Sequence, residues 1–515
     1  MMQQGTSKDW GETIRSWTHP RVMTMLFLGF SAGIPILLIF STLSAWLTEA
    51  GVKKSAVTFF SWAALGYSFK FVWAPLIDRM PLPFLTRRLG RRRAWMAVSQ
   101  VCVMGAICLM AVINPAESHS TLTAMAWAAV LLGFSSATQD IVIDAYRIEC
   151  AEEELQAMLS ASYIAGYRIG MLVAGAGSLA LAAYLGTSVE LYSYTAWRMT
   201  YFGVALCMVI GLVTTLVIPE PNPPGRKKQA VYTTVDYGRF FILFLGAVSV
   251  FVLVFYYGGG VADSIKAGLG KSLGQYGRIA GFIVETLRLF IAAAAALATA
   301  RALVGINLVN REMLNDTYID PVKDFFIRYG AKVAVLLLLL IGFYRVSDIV
   351  LGVISTVFYL DLGFSKTQIA AIVKTFGLLM TIAGGFFGGM LTVRYGVIRI
   401  LFVGGVLAAA TNILFMMLAS AGPNLAMLKL VVAADNLAAG LASAAFVAFL
   451  SSLTSISFTA VQYAVFSSLM SLFPKLIGGY SGSIATSIGY PGFFMLTALM
   501  GIPVLLLIWL VRDIK

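Results

Sequence analysis

Residues 22–47 read VMTMLFLGFSAGIPILLIFSTLSAWL, a continuous apolar run that contains no charged side chain. A helix needs about 20 mostly apolar residues to cross the roughly 30 Å hydrocarbon core of a bilayer, so this run is long enough to span a membrane. Runs of the same kind, separated by short polar breaks, recur along nearly the whole chain. The sequence therefore predicts an all-α integral membrane protein.

The composition of the 515-residue chain supports the same fold class. Hydrophobic residues make up 59% and charged residues 12%, whereas charged residues make up roughly 25% of an ordinary soluble protein. The mean hydropathy of +0.86 is too high for a water-soluble fold, which could not bury so much apolar surface. The four cysteines show no metal-ligand spacing, so we expect neither a metal nor another cofactor.

Fourteen apolar segments are long enough to span a bilayer, and they group as six, two and six. Prolines and basic residues at 219–228 end the first group, because proline cannot continue a helix. A polar stretch at 307–329 follows the inserted pair, and part of it looks like an amphipathic lead-in helix on the inner membrane surface. The predicted spans are residues 22–47, 56–77, 94–113, 122–146, 155–185, 197–218, 240–257, 279–303, 332–360, 367–393, 398–419, 426–453, 459–485 and 490–511.

This grouping predicts an N-terminal six-helix bundle at 1–218, a middle region with the linker, the inserted helices and the lead-in helix at 219–330, and a C-terminal six-helix bundle at 331–515. The two bundles look like distant copies. The matching positions are Ser41-Thr42, Trp46-Leu47, Gly51 and Lys54-Ser55 against Ser355-Thr356, Tyr359-Leu360, Gly363 and Lys366-Thr367. Two six-helix halves with a substrate site between them at mid-membrane are the plan of the major facilitator superfamily.

The placement of the basic residues predicts the orientation. The net charge is +13, but the lysines and arginines concentrate in alternate loops, as the positive-inside rule describes. The loop at 78–93 alone carries six arginines. Placing this loop in the cytoplasm puts both termini inside. We therefore expect a multi-pass membrane protein with cytoplasmic termini and no nucleic-acid partner.

The fourth segment carries the densest set of charges within the predicted spans. Asp140, Asp144 and Arg147 are spaced i, i+4 and i+7, which places them on one helical face. A charge at the bilayer centre costs about 2.5–3.5 kcal/mol on insertion scales, so this face is expected to line the bundle interior or a wet cavity. For Asp144 and Arg147, a role in coupling and a role as an intracellular gate both remain open.

Other spans carry isolated charges. Lys70 in the second span is expected at a depth similar to that of Asp140, and Arg168 lies near the middle of the fifth span. In the second half, Asp348 lies three residues after Arg345, so the two could form a structural pair, and Lys374, Asp435-Asn436 and Lys475 lie in other spans.

Histidine constrains how a proton could be carried. Both histidines, His19 and His119, lie in predicted loops, which excludes a buried histidine relay. A carboxylate must then carry any coupled proton. Asp140 is the first candidate, because it is the deeper acid, and Asp144 is the second.

Several motifs are similar to those of the AmpG-type muropeptide permeases. They are LGFSAGIP at 28–35, FKFVWAPLIDR at 69–79, ATQDIVIDAY at 137–146, GYRIGMLV at 166–173, AAFVA at 444–448 and FTAVQY at 458–463. The resemblance covers most of the core helices. It implies proton-driven import of N-acetylglucosamine–anhydro-N-acetylmuramic acid, with or without peptide, from the periplasm across the bacterial inner membrane. In that family the transport serves peptidoglycan recycling and is linked to antibiotic resistance through β-lactamase induction.

The resemblance and the charge pattern together define candidate site residues. Proton coupling is expected at Asp140 and Asp144. The candidate substrate-binding residues are Tyr67, Lys70, Gln139, Tyr167, Arg168, Asp348, Lys374 and Asn436. The candidate gating residues are Asp78, Arg79, Arg91, Arg92 and Arg147.

Two features depart from the related patterns. Asp78-Arg79 lies farther from Gly90-Arg91-Arg92 than in the superfamily loop signature, which leaves the gate geometry open. The extra helix pair lies between the halves, whereas relatives with fourteen spans can carry it at the C-terminus.

Other functions remain as alternatives. A carrier for another bulky anion, such as acetyl-CoA, should show a stronger cluster of cations than the scattered Lys70, Arg168 and Lys374. A drug or peptide exporter is a further alternative. A membrane enzyme is disfavoured, because the longest loop, near 307–329, has no metal-binding set of acids. The protein is expected to act as a monomer.

Overall fold

The computed structural model describes residues 16–52, 60, 65–188, 190–223, 232–273, 277–306 and 309–512. Throughout these ranges the regular elements are helical. They form two compact units, one made of residues 1–226 together with 325–515 and the other of residues 227–324. The predicted span at 56–77 lies partly outside the described residues, and so does the second half of the basic linker, at 224–228.

The helices that precede the linker begin at recognisable caps. Pro20 occupies the first turn of the first long helix, where its missing N–H has no cost. Ser118 and Thr121 form a capping box in which each side chain accepts from the other's backbone N–H. The described helices of this part are α1 (Pro20–Ile39), α2 (Ser41–Glu49), α3 (Leu65–Phe69), α4 (Ala74–Arg79), α5 (Leu85–Leu89), α6 (Arg91–Val112), α7 (His119–Glu149), α8 (Gln156–Leu172), α9 (Ser178–Tyr184) and α10 (Tyr194–Val217).

The second compact unit contains the inserted pair, α11 (Thr234–Leu273) and α12 (Gly277–Gly305). Glu285 on α12 joins the two helices, because it lies 2.6 Å from Lys266 and 2.9 Å from Arg288. Arg288 also stacks on the ring of Phe255, with 3.9 Å between the guanidinium carbon and the ring centroid. These charges therefore neutralise one another within the pair. Two short helices follow, α13 (Arg311–Leu314) and α14 (Asp320–Tyr329).

The last part of the chain contains the remaining described helices. Asn424 caps the longest of them, since its side chain accepts from the backbone N–H of Met427. These helices are α15 (Ala331–Phe343), α16 (Val346–Asp361), α17 (Lys366–Gln368), α18 (Gly377–Tyr395), α19 (Val397–Ala421), α20 (Leu425–Leu453), α21 (Thr459–Gly478), α22 (Ser481–Leu499) and α23 (Gly501–Val511).

Thirteen stretches of helix in the described part of the chain are long and apolar enough to cross a membrane. Each corresponds to one of the fourteen predicted spans, and the remaining one is the span at 56–77. The fourth span continues as a helix to Glu149, beyond the predicted end of its apolar segment. This extension brings an additional acid onto the helix, which matters for the site below.

Two turns recur at equivalent places in the two halves. Gly51 follows α2 and Gly363 follows α16, with φ angles of 75° and 98°. At each turn the glycine N–H donates to the carbonyl three residues back, and the next N–H donates to the carbonyl five residues back, at 2.9–3.1 Å. This is the glycine-terminated helix end of the Schellman type. The sequence match between the halves therefore has a structural counterpart at these glycines, while Lys54 and Ser55 lie outside the described residues.

Close helix packing in the first half depends on glycine. Gly166 and Gly170 on α8 face the backbone carbonyls of Leu26 and Phe30 on α1. A Cβ atom on Gly166 would lie 2.0 Å from the Leu26 oxygen, far inside van der Waals contact. Only small residues permit such an approach of two membrane helices.

We expect Gly166→Ala to lower the melting temperature and the yield of monodisperse protein, because the new methyl group has only backbone to displace. Overpacking of this kind typically costs about 1–3 kcal/mol or more. Gly105→Ala on α6 is the matched control, since a Cβ there meets no atom of the described structure within 4 Å. Size-exclusion chromatography and thermal unfolding in detergent measure both, and equal behaviour of the two variants would contradict the packing argument.

Candidate functional site

Lys70, Asp144 and Arg147 form a buried chain of ion pairs. Lys70 Nζ lies 3.5 Å from Asp144 Oδ2, and Arg147 Nη2 lies 3.4 Å from Asp144 Oδ1. Lys70 begins a short 3-10 turn, Lys70–Val72, between α3 and α4, and such turns within a span often mark hinges. Buried charges are stable only when paired. The predicted common face of Asp144 and Arg147 on α7 is confirmed.

Asp140 lies one helical turn away and forms no such ion pair with the residues that the structure describes. It is buried, and its Oδ1 has no hydrogen-bond partner among the residues that the structure describes. Its carboxylate interacts electrostatically with Lys70 and with Asp144. Lys70 therefore interacts electrostatically with both Asp140 and Asp144, but of these two acids it contacts Asp144.

Three tyrosines lie within electrostatic range of the Asp140 carboxylate. Tyr67, Tyr163 and Tyr167 all interact electrostatically with it. The Tyr67 hydroxyl donates to Ser136 Oγ at 2.7 Å, and the rings of Tyr163 and Tyr167 lie 6.1 Å apart. The candidates Tyr67, Tyr167 and Lys70 thus all lie within electrostatic range of Asp140.

Gln139 faces in a different direction. Its Nε2 donates to Ser31 Oγ on α1 at 3.0 Å, and its side chain is fully buried. Adjacent residues of a helix do not share a face, so Gln139 cannot line the same surface as Asp140. Gln139 lies inside the N-terminal half of the chain, where its hydrogen bond to Ser31 joins α7 to α1.

Arg147 connects the two halves of the chain. Its Nη1 donates to Ser160 Oγ on α8 and to Ser451 Oγ on α20, both at 2.8 Å. Its guanidinium also lies over the ring of Tyr463 on α21, with 5.0 Å to the centroid. This arginine is fully buried, so its contacts across the halves form in the absence of competing water.

A second buried cluster, which we call the Arg92 cluster, consists of Asp78, Arg92, Glu149 and Thr459. Arg92 Nη2 lies 2.6 Å from Asp78 Oδ1 and 2.5 Å from Glu149 Oε1. The same nitrogen donates to Thr459 Oγ1 at 2.8 Å, and Thr459 donates to Glu149. Because Thr459 begins α21, the cluster holds the first and second halves together. Asp78 and Arg92 therefore meet despite their separation in sequence.

The remaining gate candidates border the Arg92 cluster. Arg91 Nη2 lies 3.8 Å from Asp78 Oδ1, and Arg79 lies over the ring of Phe458 with 5.8 Å to the centroid. Glu220 caps α6 by accepting from the backbone N–H groups of Arg92 and Arg93 at 2.8 and 3.0 Å. Burial raises the pKa of the Glu220 carboxyl, while the two backbone N–H groups oppose that shift.

Two candidate substrate-binding residues, Asn436 and Lys374, belong to the second half of the chain. Asn436 Oδ1 accepts from Thr381 at 2.8 Å, and its Nδ2 donates to Val432 O at 2.9 Å. This amide therefore joins α18 to α20. Lys374 is exposed, in the π-helical stretch Ile369–Phe376.

Arg345 lies between the end of α15 and the start of α16, and it interacts electrostatically with two other charged side chains. Asp348 interacts electrostatically with Arg345, and Arg345 interacts with Arg168 from the first half. Arg168 itself approaches Met171 Sδ at 4.0 Å. Arg345 thus lies within electrostatic range of both Asp348 and Arg168.

Sequence reasoning missed five residues that these contacts require. Glu149 follows the apolar part of its segment, so only the helical continuation past 146 would have revealed it. No sequence signal distinguishes Ser160 and Ser451 from ordinary small polar residues. Thr459 lies in the FTAVQY motif at 458–463, but the motif does not reveal its contacts, because they depend on which helices meet. Tyr163 lies four residues before Tyr167, and this spacing could have placed both on one face of α8.

Comparisons with known proteins agree with this architecture. Residues 21–188 match the family described as "Acetyl-coenzyme A transporter 1". The chain is 29% identical over 488 residues to "Putative transporter AmpG 4" of Rickettsia conorii, which covers 95% of each chain. It is 28% identical over 501 residues to "Anhydromuropeptide permease" of Escherichia coli K12, which covers 97% of this chain and 81% of the other.

Solved structures show the same fold. The proton:xylose symporter XylE superposes with a TM-score of 0.57 at 12% identity, covering 98% of this chain and 96% of its own. FucP in its outward conformation superposes with a TM-score of 0.59 at 9% identity, covering 96% and 99%. The chain thus has the fold of these major facilitator superfamily structures and is similar over nearly its whole length to the AmpG-type transporters. The predicted fold class is therefore confirmed, and the named relatives of this transporter are carriers, not enzymes.

Proposed function

We propose that this transporter imports anhydromuropeptides, N-acetylglucosamine–anhydro-N-acetylmuramic acid with or without peptide, from the periplasm to the cytoplasm. The observation that carries the proposal is the similarity, over nearly the whole chain, to a protein named anhydromuropeptide permease. The protein would act as a monomer in the bacterial inner membrane with both termini cytoplasmic. Its two six-helix bundles, 1–218 and 331–515, would alternate between an outward-open and an inward-open arrangement, and the region at 219–330 would form a separate part of the chain.

Proton coupling is proposed at Asp140, with Asp144 as the second acid. Two carboxylates share Lys70, but Lys70 contacts only Asp144. Burial without a paired cation favours the protonated form of a carboxyl group. A proton on Asp140 removes one of the two negative charges, and its loss would draw Lys70 towards Asp140. That change would leave Arg147 as the remaining cation on Asp144 and strengthen the Asp144–Arg147 contact, which lies next to the bonds between the halves.

The contacts between the halves support a state that is closed at the cytoplasmic end. Arg147 bonds to Ser451 and Arg92 bonds to Thr459, and both donors lie at the end of the bundle that the arginine-rich loop borders. In the proposed orientation this end is cytoplasmic. The structure would then represent the outward-facing state that accepts substrate for import.

The expected result for Asp140→Asn is loss of substrate accumulation driven by a pH gradient. Membrane vesicles that contain the wild type should accumulate labelled anhydromuropeptide, and a protonophore should abolish the accumulation. Asp361→Asn is the matched control, because Asp361 is an exposed acid at the end of α16. Full accumulation by Asp140→Asn would leave Asp140 with a structural role and make Asp144 the next candidate.

A carrier for acetyl-CoA is the second candidate, because residues 21–188 match the acetyl-coenzyme A transporter family. Such a site must neutralise several phosphate charges. Lys70 is occupied by Asp144, and Arg147 bonds to Asp144, Ser160 and Ser451. The same vesicles separate the two candidates, since accumulation of labelled acetyl-CoA without accumulation of anhydromuropeptide would favour the second.

A further inference from the structure

We propose that Lys475 binds an anionic group of the substrate, which in an anhydromuropeptide is a carboxylate. The proposal rests on the proposed function and deepens it, because muramic acid carries a carboxyl group that is either free or joined to a peptide with carboxylates of its own. Lys475 lies on α21 in the second half of the chain, and its Nζ donates to Ser68 Oγ on α3 in the first half at 3.2 Å. The ammonium group therefore lies at the boundary between the halves, where carriers of this plan bind their substrates.

Lys475 differs from the paired cations of the first half. Lys70 and Arg147 both lie within ion-pair distance of Asp144. Lys475 forms no ion pair with any residue that the structure describes, and its partner Ser68 is neutral. An ammonium group has three N–H donors, so the bond to Ser68 leaves donors for a further acceptor. A cation of this kind within a span is a candidate for direct contact with substrate.

The position of Lys475 along α21 places it well inside the span. Its Cα lies about 24 Å along the helix axis from Thr459, the first residue of α21. Side chains of a helix tilt towards its N-terminus, so the Lys475 side chain extends back to Ser68. The residue is nevertheless exposed, and charged side chains within spans face the bundle interior or a wet cavity, not lipid. The exposed part of Lys475 therefore faces a space that water and substrate can enter.

Both spans that meet at this contact are interrupted beside it. In the first half, the 3-10 turn Lys70–Val72 follows two residues after Ser68. In the second half, α21 ends at Gly478 and α22 begins at Ser481. Interrupted helices near the midplane are where transporters of this kind bind substrates and ions. The helix geometry and the unpaired charge of Lys475 therefore favour the same position.

Ser68 and the substrate would compete for the same ammonium group. An ammonium group binds a carboxylate more strongly than a neutral hydroxyl, because opposite charges add their attraction to the hydrogen bond. An anionic substrate is therefore expected to draw Lys475 away from Ser68, and the release of the substrate would let the contact between the halves form again.

Equilibrium binding to the purified full-length transporter tests the proposal with two probes. One is the anhydro-disaccharide with its free muramic carboxyl group, and the other is the same compound with that carboxyl group converted to a neutral amide. We expect the wild type to bind the acid about tenfold more tightly than the amide, and Lys475→Met to bind both alike. Lys475→Arg keeps the charge and should keep the preference. Lys429→Met removes an exposed lysine on α20 and should behave like the wild type.

The outcomes separate the role of Lys475 from the identity of the substrate. An undiminished preference for the acid in Lys475→Met would overturn the role of Lys475 and leave the substrate standing. Absence of binding of both probes to the wild type would overturn the proposed substrate. Acetyl-CoA then replaces the probes, because its phosphate groups are the other candidate anion. Weaker binding of acetyl-CoA to Lys475→Met than to the wild type would support an anion site at Lys475, whereas equal binding or none would overturn it.

Chemical labelling gives a second measurement that needs no substrate. Lys475→Cys, in a background without the four native cysteines, is treated in detergent with a negatively charged thiol reagent. We expect it to react, because the position faces a wet space. Leu506→Cys is the matched control, since Leu506 on α23 is an exposed apolar residue that the micelle covers, and it should stay unmodified. An unreactive Lys475→Cys would overturn the proposal.

Discussion

Replacing Arg92 by methionine is expected to destabilise the transporter by about 3–5 kcal/mol, the usual cost of removing one partner from a buried ion pair. Asp78 and Glu149 both bond to the same Arg92 nitrogen, and all three side chains are buried. The variant leaves two carboxylates facing each other without their cation. The melting temperature of the purified protein in detergent should therefore fall markedly.

Three further variants make this measurement specific. Arg87→Met removes an exposed arginine from the same loop and should leave the melting temperature unchanged. Arg92→Lys keeps the charge but loses the planar fork that reaches two acids, so its effect should be intermediate. Adding Asp78→Asn and Glu149→Gln to Arg92→Met removes the uncompensated charges and should recover most of the loss. If the single and triple variants melt alike, the Arg92 cluster is not electrostatically coupled.

The membrane spans could be predicted from sequence because the bilayer acts on each segment separately. A run such as 22–47 must form a helix to satisfy its own backbone in lipid, whatever its neighbours do. The same independence explains why the turns at Gly51 and Gly363 could be matched. Their geometry depends on a few adjacent residues and a positive φ, which the sequence specifies directly.

The candidate site was harder to predict from the sequence than the spans, because it depends on which helices meet in the fold. Helical spacing correctly placed Asp144 and Arg147 on one face, but spacing could not show that Lys70 joins them through a 3-10 turn. Gln139 was grouped with Asp140 as its neighbour in the chain, yet a neighbour on a helix faces another way. Asn436 and Lys374 stay predictions as substrate-binding residues: Asn436 joins two helices, and Lys374 is exposed.

The asymmetry between the halves has a physical basis in these contacts. The first half contains Lys70, Asp144 and Arg147 as paired charges. The second half contributes the neutral hydroxyl groups of Ser451 and Thr459 to the hydrogen bonds between the halves. A hydroxyl bonded to a buried arginine can be released at a smaller cost than an opposite charge. Hydrogen bonds of this type hold the two halves together but can break at a cost that allows the halves to separate.

A disulfide between Ala161→Cys and Gly389→Cys is expected to abolish transport, and a reducing agent should restore it. Ala161 lies on α8 in the first half and Gly389 on α18 in the second, and a Cβ on Gly389 would lie 2.8 Å from the Cβ of Ala161. Disulfides need Cβ atoms about 3.5–4.5 Å apart, so a small shift suffices. Alternating access requires the two halves to separate here in each cycle, and the cross-link prevents it.

The matched control joins two helices of the same half. A Cβ on Gly501, on α23, would lie 3.0 Å from the Cβ of Ala409 on α19, so Ala409→Cys with Gly501→Cys should cross-link equally well. Uptake of anhydromuropeptide in a background without the four native cysteines measures both pairs. The control pair should transport normally under oxidising conditions, because its bond does not connect the halves. Undiminished transport by the fully cross-linked first pair would show that α8 and α18 do not separate in the cycle.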